Sequence, residues 1–210
     1  EAAPIGDEER GLLSTLGDRP YFLMVGTIEP RKAHALVLAA MERLWARDLD
    51  VGLVVVGKEG WMVADFATGL RAHPEAGRRV LWIESASDGM LRECYRRAAA
   101  LIQASEAEGF GLPLVEAAHH GVPVIARDIP VFREVAGAHA FYFQDTGPEG
   151  LAERLQEWLV RRARGDIPTT DQTVAAGAAD DGVYTSASCC LYDTQLVNSG
   201  DAVWMAWYAN

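Results

Sequence analysis

The sequence predicts a doubly wound parallel α/β sheet followed by a tail of different character. Three observations carry that prediction. Short continuous apolar runs, such as Tyr21–Gly26 (YFLMVG) and Val51–Gly57 (VGLVVVG), read as strands covered on both faces. Amphipathic stretches separate these runs, so strand and helix alternate along most of the chain. The residues of unusual chemistry gather in the strand-to-helix turns, where sheets of this kind bind their ligands.

Residues 1–19 read as a linker stub that ends at the first strand, Tyr21–Gly26. After Pro30, the segment Ala33–Asp48 (AHALVLAAMERLWARD) has helical apolar spacing. Leu36, Leu38, Ala39, Met41, Leu44 and Trp45 fall on or near one stripe. Val51–Gly57 is the second strand, followed by a helix over Val63–Ala72 and a strand at Val80–Ile83. Ser87 reads as the N-cap of a helix over Asp88–Ala98, its hydroxyl suited to an orphan amide of the first turn. Ala99–Ala104 is the next strand. A Gly-rich turn then enters a helix through Leu114–His120, with a strand at Pro123–Ala126 beyond it. A short helix near Val131–Val135 and a strand at Ala140–Phe143 follow. Gly150–Arg164 closes the unit as a helix, with Leu151, Leu155, Trp158 and Leu159 on one face. The expected division is a linker over 1–19, one ligand-binding domain over 20–164 and an unassigned tail over 165–210. Within the tail, Val183–Val197 has the β-type residues of a hairpin.

A chain of 210 residues holds one domain with a real core plus a remainder, not two full domains. Charge is spread unevenly along it. Residues 1–164 hold all 19 Lys and Arg and 24 of the 30 acids, a balance of −5, whereas 165–210 hold six Asp and no base. The total of −11 excludes a generic nucleic-acid binder, which needs a basic surface. No apolar run approaches the roughly 20 residues of a membrane span, and no signal peptide is read. The chain opens on Glu1 rather than Met, which reads as a trimmed N-terminus. Cys94, Cys189 and Cys190 are spaced neither as a disulfide framework nor as a zinc set, which fits a reducing compartment.

Two turns carry the chemistry. In Glu106–Pro123 (EAEGFGLPLVEAAHHGVP), Gly109 and Gly111 precede a helix whose first turn holds Pro113. Glycines admit a ligand to the backbone, and the amides of a helix start suit a phosphate. Glu108 lies in the loop and Glu116 eight positions on, in the early helix, so two carboxylates bracket that start. Without a ligand, the same residues make an acidic turn and a helix entry. In the first turn, Gly26-Thr-Ile-Glu-Pro-Arg-Lys32, the adjacent Arg31 and Lys32 are suited to a diphosphate, Arg31 as a fork and Lys32 as a point charge. Cations at a helix start are electrostatically misplaced unless an anion joins them, which favours a ligand role over a solvated surface.

Together these elements resemble a family. Phe22-Leu-Met-Val-Gly-Thr-Ile-Glu-Pro-Arg-Lys32, Gly57-Lys-Glu-Gly-Trp61, Ser87-Asp88 and Glu108-Gly-Phe-Gly-Leu-Pro-Leu-Val-Glu116 occur in one order. Gly121-Val-Pro-Val124 and Asp128-Ile-Pro-Val-Phe-Arg-Glu-Val135 continue it. This order resembles that of group 1 (family 4) retaining glycosyltransferases of GT-B fold, and within them the bacterial mannosyltransferases of O-antigen and capsule assembly. The resemblance covers Tyr21–Arg164. It implies one Rossmann-like half of a GT-B enzyme, the C-terminal half that binds the nucleotide-sugar donor. By the resemblance, Glu108 contacts hydroxyls of the transferred sugar as the catalytic carboxylate, and Glu116 contacts the ribose. Arg31 and Lys32 hold the diphosphate, helped by backbone amides around Gly109, Phe110, Gly111 and Leu112, and Trp82–Ser87 walls the base. The resemblance also implies no obligatory metal, a donor such as GDP-mannose, and a glycan or lipid-linked acceptor bound through an N-terminal domain ahead of this segment. A cytoplasmic enzyme, peripheral at the inner membrane face, follows from the same likeness. Such a half binds donor without efficient turnover, because the crevice needs both walls. Two positions depart from the pattern. Ala33 stands where many relatives carry Asn or Gly, and Thr27 where inositol mannosyltransferases carry Arg.

Other candidates have plainer readings. His119 and His120 are adjacent on a helix and so point in different directions, unlike a metal pair. Lys58 suits an exposed loop, Asp128 and Arg133 suit turn and cap roles, and Cys94 falls on a core face. Trp204, Met205 and Trp207 have the look of a remnant closing helix. Two other functions remain open: a non-catalytic nucleotide-binding module of the same fold, and a dehydrogenase. The second lacks a G-x-G-x-x-G after the first strand.

Overall fold

The computed structural model describes residues 5–144 and 146–169, and the expectations for 170–210 lie outside the described residues. Six parallel strands form one sheet in the order β3-β2-β1-β4-β5-β6, the doubly wound arrangement predicted. They are β1 (Tyr21–Val25), β2 (Gly52–Val56), β3 (Val80–Ile83), β4 (Ala100–Gln103), β5 (Val124–Arg127) and β6 (Ala140–Phe143). The helices are α1 (Asp7–Ser14), α2 (His34–Ala46), α3 (Ala64–Arg71), α4 (Asp88–Arg97), α5 (Leu112–His119), α6 (Pro130–Ala136) and α7 (Pro148–Ala163).

Strand alternation divides the apolar residues between two layers. Phe22 and Met24 of β1 pack with Val37, Met41 and Leu44 of α2 and with Leu151, Leu155 and Trp158 of α7. Tyr21, Leu23 and Val25 face the other way, onto Met90 and Cys94 of α4, Leu114 of α5 and Phe132 of α6. Every residue of β1 and β2 is buried, which accounts for their continuous apolar runs.

Helix α1 is the element not anticipated in the predicted linker. Its apolar content is thin, yet Leu13 and, just beyond its end, Leu16 are buried in the core layer that holds Tyr21 and Leu23 of β1. Helix α2 begins at His34 rather than Ala33, because Ala33 adopts a left-handed conformation (φ 55°, ψ 34°) that closes the 3₁₀ turn Pro30–Lys32. That conformation favours Gly and Asn, the residue types expected there from the resemblance. Helix α5 starts two residues earlier than predicted, at Leu112, on a left-handed Gly111 (φ 87°).

The strand order places β1 and β4 side by side although two strand–helix units separate them in sequence. The chain reverses its direction of winding there, and the turns leaving these two strands flank a crevice at their carboxyl ends.

Candidate functional site

The turn after β1 and the turn after β4 are tied together. The Glu106 amide donates to the Arg31 carbonyl at 2.8 Å, and Arg31 Nη1 donates to the Ala107 carbonyl at 3.0 Å. Arg31 and Lys32 both converge on Glu108. Arg31 Nη1 lies 2.6 Å from one carboxylate oxygen and Lys32 Nζ 3.3 Å from the other. The Glu108 side chain is only 4% exposed and that of Lys32 11%, so this pair is desolvated; Arg31, at 35%, remains partly in water. Arg31 also reaches Glu29, Nε to carboxylate 2.8 Å. Two cations and two carboxylates therefore balance around the crevice.

Local backbone explains the convergence. A Cβ added at Gly26 would stand 3.1 Å from Lys32 Nζ, so the glycine leaves room for the lysine to fold back over the strand end. At Gly111 the positive φ and the 3.0 Å approach of the Phe132 ring exclude an ordinary side chain. Gly111 caps α5 without a side-chain hydrogen bond, which leaves the helix start as a backbone surface. Gly109 is exposed, Phe110 half-buried and Leu112 exposed, in line along this rim.

Glu116 lies on the α5 face that meets α4. The Tyr95 hydroxyl donates to its carboxylate at 2.6 Å. The structure thus places Arg31, Lys32, Glu108 and the Gly109–Leu112 rim together, with Glu116 on the neighbouring helix face. In the predicted wall, the Trp82 indole donates to the Gly57 carbonyl at 2.8 Å, and the Arg71 guanidinium covers its ring at 4.4 Å. The Ser87 hydroxyl accepts from the Met90 amide at 3.1 Å, the predicted N-cap of α4. Glu9 of α1 grips the same serine, accepting from its amide at 2.9 Å and its hydroxyl at 2.8 Å.

The plainer candidates fall elsewhere. Asp128 is held in a two-pronged pair by Arg133 at 2.6 and 2.8 Å, which pulls its carboxyl down to about 2. Lys58 is exposed. Cys94 is buried, and burial pushes its thiol up to about 12. Among the described residues, no group of three or more His, Cys, Asp or Glu is arranged to hold a metal ion. None of the helices described is long and apolar enough to cross a membrane. Sequence reasoning passed over four buried polar residues, His34, Gln103, Ser105 and Arg127, and the phenol of Tyr95. Gln103 and Arg127 close apolar strands and Tyr95 lies on the buried face of α4, so nothing in the residue pattern marked them.

The family model for group 1 glycosyl transferases matches residues 7–167, the body of the chain. The chain belongs to that family. Among curated relatives, this glycosyl transferase segment is 49% identical over 165 residues to the serotype-specific mannosyltransferase WbdA of Escherichia coli. That match takes in 79% of this chain and 20% of the relative, so the chain spans about one-fifth of the relative's length. It is 33% identical over 126 residues to the O-antigen chain mannosyltransferase RfbU of Salmonella typhimurium, covering 58% of this chain and 33% of that one. In fold, it is similar to the C-terminal domain of a group 1 glycosyl transferase, LpcC, from Francisella tularensis. The TM-score is 0.63 at 20% identity, over 82% of this chain and 93% of that domain. A second likeness, TM-score 0.63 at 17% identity over 82% of this chain and 48% of the other, is to Anabaena HepE in complex with UDP and glucose. The fold of this glycosyl transferase chain is thus that of the C-terminal half of a GT-B enzyme, as the sequence motifs implied. The family model also takes in α1, which begins at residue 7.

Proposed function

We propose that this chain is the donor-binding half of a retaining mannosyltransferase of surface-polysaccharide synthesis, with GDP-mannose as donor. Domain boundaries at 20 and 164 belong to the same reading. The observation that carries it is the convergence of Arg31 and Lys32 on Glu108 beside the start of α5, which no side chain caps. Two cations and a helix start are what a diphosphate requires, and a desolvated carboxylate among them is what a sugar hydroxyl requires. The relatives named mannosyltransferases support mannose as the transferred sugar.

In this reading the diphosphate draws Arg31 and Lys32 away from Glu108, and the freed carboxylate accepts hydrogen bonds from the sugar. Glu116 takes the ribose, and the Trp82–Ser87 turn borders the base. The bond from sugar C1 to the diphosphate oxygen breaks, and its electron pair leaves with the diphosphate. Lys32, Arg31 and the α5 amides stabilise the charge that develops there. The acceptor oxygen bonds to C1 from the same face, and its proton passes to the departing diphosphate. The acceptor, a glycan or lipid-linked sugar, approaches through an N-terminal domain at the cytoplasmic membrane face, so this chain by itself binds donor with little turnover.

Calorimetric titration of the chain with GDP, UDP and GDP-mannose tests the proposal. Binding of at least one, tightest for GDP-mannose, is the expected result. A folded sample that binds no nucleoside diphosphate would sink the donor site. Efficient transfer to a lipid-linked acceptor by this chain alone would overturn the half-enzyme reading.

A further inference from the structure

Tyr95 is among the most deeply buried side chains near the candidate site. It is 1% exposed, on the third turn of α4, and its ring stacks on His120 at 5.2 Å with 22° between planes. The end of α4 is itself pinned to the sheet. Tyr21 of β1 donates its hydroxyl to the Cys94 carbonyl at 2.7 Å, and the Ala98 amide caps the Tyr95 carbonyl at 2.9 Å. The phenol is therefore a fixed donor, and it points at one oxygen of Glu116 at 2.6 Å, a charge-assisted distance. A glutamate on a helix has three rotatable bonds. Held at one oxygen by a rigid group, it presents the other oxygen in a single direction.

We propose that Tyr95 is a positioning residue: it fixes the carboxylate of Glu116 so that the second oxygen accepts a ribose hydroxyl of the bound nucleotide. The inference rests on the donor reading above and assigns a role to a residue outside the motif. The competing account is that the bond only braces α4 against α5. The two differ in one respect. A brace affects all ligands alike, whereas a positioning contact matters only to a ligand that carries the hydroxyl.

The experiment is a cycle between a protein change and a ligand change. Tyr95→Phe keeps the ring and its stacking and removes only the donor. Its melting temperature is measured beside the wild type to establish that it folds. Both proteins are titrated with the nucleoside diphosphate that binds and with its 2′-deoxy and 3′-deoxy analogues. The expected result is that Tyr95→Phe weakens the parent nucleotide about 5- to 10-fold, the size of one ordinary net hydrogen bond, since the phenol acts on the ligand only through Glu116. For the analogue lacking the contacted hydroxyl, the loss falls below about 2-fold. An equal loss for parent and analogues, or none for either, would overturn the positioning role. Absence of nucleotide binding by the wild type is a different failure, which removes the donor reading and the ribose role together.

Discussion

Replacing Glu108 by Gln keeps the shape of the side chain and removes its charge, which leaves Lys32 and Arg31 without their shared partner. The two losses are unequal. Lys32 is nearly desolvated and 3.3 Å from Glu108, and stripping one member from a buried pair costs about 3–5 kcal/mol. Arg31 is a third exposed and keeps Glu29 at 2.8 Å, so its share is under about 1 kcal/mol. Because the lysine ammonium regains some water as it relaxes, a net loss of roughly 3 kcal/mol is expected. For a domain of this size that lowers the melting temperature by about 6–12 °C. A nucleoside diphosphate supplies the missing negative charge. Saturating ligand should therefore narrow the gap between wild type and Glu108→Gln, and the variant should bind the plain nucleoside diphosphate at least as tightly as the wild type. It should lose any preference for the sugar-bearing donor, since in the proposed reading that carboxylate is the acceptor of the sugar hydroxyls. Calorimetric melts with and without ligand, and titrations with GDP and GDP-mannose, make the comparison. Equal weakening of both ligands, or a melt identical to wild type, would refute the reasoning.

Lys32→Ala should weaken nucleoside diphosphate binding by about 10-fold or more and Arg31→Ala by less, because Lys32 is the more desolvated cation; titrations at two salt concentrations separate them. Gly111→Ala forces a side chain into a left-handed cap 3.0 Å from Phe132, and should cost roughly 1–3 kcal/mol in a denaturant melt while blunting diphosphate binding. Burial and the neighbouring Lys32 push the His34 imidazole down to about 3, so it stays neutral in the folded chain while an unfolded chain takes a proton near pH 6.5. Its contribution is intact above pH 6.5 and is lost as pH falls towards 3, at up to about 1.4 kcal/mol per unit; urea midpoints from pH 7 to 5 should show a shallower slope for His34→Leu. Some slope should survive that change, because burial shifts His120 in the same direction.

The sheet was legible because burial on both faces demands continuous apolar strands, and those runs coincide with β1, β2, β3 and β6 to within a residue at either end. Ser87 was legible for a related reason, since a hydroxyl before an acidic first turn has one dominant use. Helix α1 was not, because one buried leucine in eight largely polar residues, with a second just past the end, carries no period of its own; the core layer they join supplies their order. The motif residues Arg31, Lys32, Glu108 and Glu116 could be named from their spacing, but not the partner of each. That Lys32 folds back onto Glu108 depends on the room left at Gly26, and that Glu116 meets a phenol depends on how α4 crosses α5. Both are tertiary facts without a local signature.

The grip of Glu9 on Ser87 has a mechanical consequence. It ties the stretch ahead of β1 to the turn after β3 by a carboxylate with two short bonds, far from either along the chain. A tug on the polypeptide upstream of α1 is therefore delivered in part to the head of α4. Shortening the chain to begin at β1 would spare every motif residue and still cut that tether, leaving the turn after β3 without its anchor.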